Sequence, residues 1–159
     1  MDLKKLSTGE WVTVASGIVL LIFSFFHWYS VDLGPLGTFG RNAWQSPGAI
    51  WSVLAVLLGV VLAAHVLVGK LSNVELPDRL GSVGWGVMHL AGGALAFVFV
   101  IIKLINQSSD TAFAFYIGII ASAGLAVGGY LMAKESGELP QALGGAGGAT
   151  PPSNPPPTP

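Results

Sequence analysis

Long apolar stretches dominate the pattern of this chain. Four of them contain no Asp, Glu, Lys or Arg and are rich in Val, Leu, Ile, Ala and Phe: residues 11–31, 42–69, 80–102 and 111–133. A helix needs about 20 mostly apolar residues to cross the hydrocarbon layer of a bilayer, so each stretch is long enough to span a membrane. The pattern therefore predicts an all-α fold, a membrane-spanning four-helix bundle.

Local signals place the helix ends. Ser7 and Glu10 fit a capping box, in which the Ser hydroxyl and the Glu carboxylate each accept a hydrogen bond from a backbone N–H of the first turn. Ser109 or Asp110 is suited to cap the fourth helix. Within a transmembrane domain of residues 1–133, the helices are predicted at about 8–29, 47–68, 82–105 and 110–132.

Two other segments have a distinct composition. Residues 30–45 combine turn-forming Gly and Pro with apolar side chains, so this connection is predicted to pack onto the helix ends or to form a short hairpin. Residues 134–159 are rich in Gly and Pro and bury too little apolar surface to offset the entropy of ordering, which predicts a disordered cytoplasmic tail.

Lys and Arg indicate the orientation in the membrane. If the chain starts inside, the inner side holds Lys4, Lys5, Lys70, Arg79 and Lys134, and the outer side holds Arg41 and Lys103. The positive-inside rule then places both termini in the cytoplasm of a bacterial cell with the spans in its plasma membrane. Trp11 at the inner edge and Trp28 and Tyr29 at the outer edge fit the interface where aromatic residues collect.

Composition agrees with lipid as part of the solvent. Of the 159 residues, 52% are hydrophobic and only 9% are charged, against about 25% charged in soluble domains. The net charge of −1 gives no reason to expect a nucleic-acid partner. Lys4 and Lys5 before an apolar run also suit a signal peptide, but the run is long and ends in large aromatic residues where cleavage needs small ones. An uncleaved first helix is therefore predicted.

Small residues spaced four apart allow helices in lipid to approach closely. The second helix carries Ala55, Gly59 and Ala63, and the fourth carries Gly124 and Gly128. One interpretation is a tight bundle within a single chain. The other is that one stripe, above all Gly124 and Gly128, contacts another membrane protein or a second copy in a homo-oligomer.

Ionisable side chains at membrane depth are candidates for function because they are costly there. His65 and His89 lie at similar depths on consecutive helices, and Glu10 begins the first helix on the same side. Together they would form a proton-responsive or metal-binding cluster. The alternative, which we favour, is that each His bonds a neighbouring helix and Glu10 only caps its own. We therefore predict no metal ligand, no cofactor and no catalytic residue.

Motif absences argue against catalysis. The sequence has no phosphate-binding Gly-rich loop, no zincin motif and no nucleophile elbow, and no charged residue lies near the middle of a span. We expect a non-enzymatic integral membrane protein in contact with the lipid bilayer, acting as an accessory or scaffold subunit through helix and loop contacts. The alternatives are an oligomeric channel for ions or small solutes, and an envelope sensor that uses the loop 30–45.

The layout resembles the small four-span membrane proteins of unknown function found in actinobacteria. The features that carry the resemblance are the Lys-containing N-terminus, the aromatic run 25–29, the segment 41–45 and the Ala/Gly/Pro-rich tail. The resemblance implies a membrane location and no particular activity.

Overall fold

Helices make up most of the structure. The computed structural model describes residues 6–45, 48–71, 79–80, 83–107 and 111–139. The helices in these ranges are α1 (Thr8–Ser24), α2 (Ala49–Leu71), α3 (Trp85–Asn106) and α4 (Phe113–Glu135). Two small antiparallel ladders complete them, β1 (Tyr29–Asp32) with β2 (Thr38–Arg41), and β3 (Arg79–Leu80) with β4 (Val83–Gly84).

The helices differ in length. By length and composition, α2, α3 and α4 are each able to cross a membrane, which is compatible with an integral membrane protein. They have 23, 22 and 23 residues, or about 33–35 Å at ~1.5 Å per residue. The apolar helix α1 has 17 residues and is about 25 Å long, less than the ~30 Å of a hydrocarbon core.

The four helices form an antiparallel ring in which α1 and α3 each pack against both α2 and α4. Glu10, near the start of α1, pairs with Lys70 near the end of α2. Ser7 and Glu138 line one cleft, so the first and last parts of the described chain lie at the same end of the bundle. We call this end the Glu10 end, and the opposite one the hairpin end.

Close packing of α3 against α4 depends on glycine. A Cβ on Gly93 would lie 2.5 Å from the carbonyl oxygen of Leu125, and one on Gly129 would overlap the backbone nitrogen of Leu90. No side chain fits at either position without separating the two helices. The two backbones therefore touch, as expected where helices associate by van der Waals contact rather than by escape from water.

The connection after α1 is a hairpin, which confirms one of the two predicted conformations. β1 and β2 pair in register from Tyr29 opposite Arg41 to Asp32 opposite Thr38. A short 3-10 turn, Gly34–Leu36, joins them. Gly37 follows this turn with φ of 88°, in the left-handed region that glycine adopts without strain.

The first helix ends earlier than predicted. α1 stops at Ser24 rather than near residue 29, because the carbonyls of its last turn accept hydrogen bonds from residues beyond the helix. The indole N–H of Trp28 donates to the carbonyl oxygen of Phe23 at 2.8 Å, and its backbone N–H donates to that of Arg41 at 2.8 Å. The Ser24 carbonyl accepts from Ala43 at 3.1 Å. Irregular backbone is tolerated near lipid only when it is satisfied in this way.

The remaining helix ends lie within about three residues of their predicted positions. The predicted cap of α4 by Ser109 or Asp110 is wrong, because the N-cap is Ala112, which offers no side-chain bond. The start predicted for the tail is also too early, since α4 continues to Glu135 and a turn follows at Gly137. The predicted disorder of residues 140–159 lies outside the described residues.

Candidate functional site

The structure brings His65 and His89 together at the Glu10 end. Their ring centroids lie 5.0 Å apart, across the interface of α2 and α3. The Trp85 ring lies 4.0 Å from the His65 ring and covers one side of it. Trp85 precedes His89 by one helical turn, so both side chains lie on the same face of α3. We call these three residues the His pair cluster.

Hydrogen bonding fixes the proton on His89. Its Nδ1 lies 2.8 Å from the Trp85 carbonyl oxygen. A carbonyl can only accept, so Nδ1 carries the hydrogen and donates it. In the neutral imidazole the other nitrogen, Nε2, therefore has a free lone pair. His89 is only 1% exposed, so bulk water does not reach this lone pair in the structure as it stands.

The prediction that each His bonds a neighbouring helix is wrong among the described residues, because His89 bonds its own helix and three ring nitrogens of the pair have no partner there. Within the described part of the chain, neither nitrogen of His65 nor Nε2 of His89 makes a hydrogen bond, and all three are buried. Leaving one buried polar group unsatisfied costs about 1–3 kcal/mol. Several such groups at one place therefore require an explanation.

Glu10 acts as the predicted cap rather than as part of the His pair cluster. One carboxylate oxygen accepts from the backbone N–H of Ser7 at 2.8 Å, and the Ser7 hydroxyl accepts from the N–H of Glu10 at 3.3 Å. The other carboxylate oxygen pairs with Lys70 at 3.1 Å. Among the described residues there is no group of three or more side chains placed to ligate a metal.

A cleft of about 240 Å³ adjoins the His pair cluster. Trp85 lines both, and three carboxylates line the cleft, those of Glu10, Glu135 and Glu138. Glu138 also accepts from the backbone N–H of Val87 at 3.0 Å and so caps α3, whose own N-cap residue is a glycine. This cap was not predicted from the sequence, because Glu138 lies in the segment that was predicted to be a disordered tail. The place of Trp85 beside the His pair was also not predicted, although its i, i+4 spacing from His89 was a signal for it in the sequence.

The stripe on α2 packs against α1. A Cβ on Gly17 of α1 would lie 2.6 Å from the carbonyl oxygen of Gly59 and 2.8 Å from the Cβ of Ala63. Ala55 and Ala63 are buried, at 0% and 5% exposure. The structure thus uses this stripe for contact within the chain.

The stripe on α4 also packs against α1, on its other side. A Cβ on Gly128 would lie 2.8 Å from the backbone nitrogen of Thr13 and 3.0 Å from the carbonyl oxygen of Gly9. Gly124 faces the side chain of Ser16. The interpretation that Gly124 and Gly128 contact another chain is not supported, since α1 already occupies this surface.

The hairpin end is held by buried aromatic residues. Trp28 and Tyr29 are 0% and 1% exposed, so they face the protein interior rather than the lipid interface at which they were predicted. The Phe115 ring lies 5.2 Å from the Trp28 ring and 5.3 Å from that of Tyr29. The ammonium of Lys103 lies 5.2 Å from the Tyr29 ring centroid, within cation–π range.

The hairpin itself exposes apolar side chains. Leu33, Leu36 and Phe39 are 47%, 78% and 58% exposed. A groove of about 550 Å³ lies beside them and is also lined by Arg41 and Gln45.

No protein-family model, curated protein or solved structure matches this chain significantly.

Proposed function

We propose that the chain is a non-enzymatic integral membrane protein that acts as an accessory or scaffold subunit and binds a membrane partner through its hairpin. The observation that carries this proposal is the contrast within residues 29–41, which we call the outer hairpin. Its base is buried in the bundle, whereas Leu33, Leu36 and Phe39 are exposed.

Anchoring makes the outer hairpin a preformed surface. The N–H of Ala112 donates to the carbonyl oxygen of Trp28 at 2.8 Å, and Tyr29 pairs with Thr111 in an isolated bridge. An isolated two-stranded hairpin is marginally stable in water, so these contacts to the start of α4 hold it in one conformation. A surface that is ordered before binding loses less entropy when a partner docks.

Exposed apolar residues on this surface favour a contact role. Single exposed hydrophobic residues are common and need no explanation. Here three of them share one short hairpin, where polar turn residues would serve solubility better. In the proposed orientation the outer hairpin lies on the outer side of a bacterial plasma membrane and the termini lie in the cytoplasm, in keeping with five Lys and Arg residues against two.

The bilayer placement rests on the helices. α2, α3 and α4 are long and apolar enough to cross a membrane, and we propose that the shorter α1 crosses it together with the turn 25–28. This turn adds the exposed residues Phe25 and Phe26 to the apolar surface above α1. The backbone N–H groups of Phe25, Phe26 and Trp28 donate to carbonyls of α1 or of Arg41, which reduces the turn's need for water.

A channel has less support than a scaffold. Leu20, Val56 and Leu125 are buried to within 1% exposure and fill the middle of the bundle, so a pore would require several copies. An envelope sensor would use the same outer hairpin, and it differs from a scaffold in whether the partner is bound permanently.

Site-specific photocrosslinking in native membranes tests the proposal. A photoreactive residue at Leu36 should give a discrete crosslink to one protein, whereas the same residue at Ile50, a 60% exposed position near the start of α2, should react with lipid. Leu36→Ser should reduce co-purification of that protein at least about 10-fold. Crosslinks to lipid alone from both positions, with a monomeric native mass, would overturn the proposal.

A further inference from the structure

We infer that His65 and His89 together bind a divalent transition-metal ion of the zinc class at the Glu10 end of the bundle. This inference does not depend on the role proposed for the outer hairpin. It rests on the separation of the two imidazoles, on their unpartnered nitrogens and on the acidic cleft beside them.

The separation of the rings fits tetrahedral coordination. A Zn–N bond is about 2.0–2.1 Å, and the ring centre lies about 1.1 Å beyond the nitrogen, so two imidazoles at the tetrahedral angle have centroids about 5.2 Å apart. Linear coordination would require about 6.3 Å. The observed 5.0 Å between His65 and His89 matches the tetrahedral value.

The hydrogen bond of His89 is the one that metal-ligating histidines usually make. Such a residue donates its second ring N–H to a carbonyl or carboxylate, which fixes the tautomer and aims the free nitrogen. His89 donates from Nδ1 to the Trp85 carbonyl at 2.8 Å and leaves Nε2 for the metal. Neither nitrogen of His65 is committed elsewhere within the described residues. The Trp85 ring against His65 supplies an apolar wall.

The donor set selects the class of ion. Neutral imidazoles suit Zn²⁺, Cu²⁺ and Ni²⁺, whereas Mg²⁺ and Ca²⁺ prefer oxygen ligands. Water molecules that enter with the ion would take the remaining coordination positions, because the pair itself is closed to bulk water. Glu10, Glu135 and Glu138 line the cleft that Trp85 separates from the pair, and their carboxylates attract a divalent cation to it.

Metal titration of the full chain tests the inference. The protein is purified in mild detergent with a tag that contains no histidine, freed of metal and titrated with Zn²⁺ or Mg²⁺. Wild type should bind one Zn²⁺ per chain and no Mg²⁺ at the same site. His65→Ala and His89→Gln should each weaken Zn²⁺ binding at least about 100-fold, beyond the 10–100-fold typical of losing an outer hydrogen-bond partner.

His27→Ala is the matched control, because His27 is exposed at the hairpin end of the bundle, and this variant should bind Zn²⁺ as wild type does. Zinc-edge X-ray absorption of the wild-type complex counts the imidazole ligands without any substitution, so the test survives if a variant fails to fold. Two imidazoles are expected. Fewer than two, the absence of saturable Zn²⁺ binding, or unchanged binding in the folded His65→Ala variant would each overturn the inference.

Discussion

Replacing Trp28 tests whether this residue is a buried anchor of the fold or an aromatic residue at the lipid interface. Trp28 and Trp11 look alike in the sequence, since each lies at an end of the first apolar stretch. In the structure Trp28 is 0% exposed and Trp11 is 44% exposed. Trp28→Ala should therefore destabilise the fold strongly, and Trp11→Ala should not.

The size of the effect follows from volume and hydrogen bonding. Truncating Trp to Ala removes about 140 Å³, and at about 24 cal/mol per Å³ an unrelaxed cavity costs about 3 kcal/mol. Loss of the indole hydrogen bond to Phe23 adds about 0.5–1.5 kcal/mol. Trp28→Ala should thus lower the free energy of unfolding by about 3.5–4.5 kcal/mol, and Trp28→Phe by about 1–2 kcal/mol. An exposed site such as Trp11 should stay within about 0.5 kcal/mol of wild type.

Unfolding in mixed micelles measures these differences. The mole fraction of sodium dodecyl sulfate is raised and helix content is followed by far-UV circular dichroism, which does not depend on tryptophan as a reporter. The expected order of stability is wild type and Trp11→Ala, then Trp28→Phe, then Trp28→Ala. Equal midpoints for Trp28→Ala and Trp11→Ala would refute the burial of Trp28 and, with it, the early end of α1.

Three further predictions address other contacts. Gly129→Ala should destabilise by about 1–3 kcal/mol in the same unfolding assay, because its Cβ would overlap the backbone nitrogen of Leu90; an unchanged midpoint would contradict the close contact of α3 with α4. Glu138→Ala should cost about 1 kcal/mol through the lost cap of α3, and the exposed Glu135→Ala should not. Burial raises the pKa of the Tyr29 phenol; the folded state then holds its proton where the unfolded state releases it, so stability should fall as pH rises above about 10. Tyr29→Phe should remove that fall, and superimposable pH profiles of the two proteins would argue against it.

Charge and hydropathy patterns were enough to locate the four helices but not the end of the first one. The run from Phe25 to Tyr29 is as apolar as a helix, so periodicity alone continues α1 through it. The structure ends α1 at Ser24 because Trp28 and Ala43 return to hydrogen-bond with its last turn. Those partners include a residue 19 positions away in the chain, and a local pattern does not reveal contacts at that distance.

The His pair shows that prediction from the sequence has the same limit at the candidate site. The sequence placed His65 and His89 at similar depths on consecutive helices but left the rotation of each helix undetermined. Rotation is set here by the close contact of α3 with α4, at Gly93 and Gly129, which turns His89 inward. It was therefore packing against a third helix, rather than any property of the two histidines, that decided whether they meet.

The packing of α1 also explains why we expect a partner to contact the ends of the bundle rather than its sides. α1 lies in the groove between α2 and α4 and covers Gly59 on one side and Gly128 on the other. With these small-residue stripes occupied, the outward faces of the helices carry bulky residues such as Val61 and Ile120, at 61% and 67% exposure. Bulky residues keep helix axes apart, so they are poorly suited to close association with another helix. The surfaces left for a specific contact are thus the outer hairpin, where a membrane partner is proposed to bind, and the cleft at the Glu10 end, which adjoins the proposed metal site.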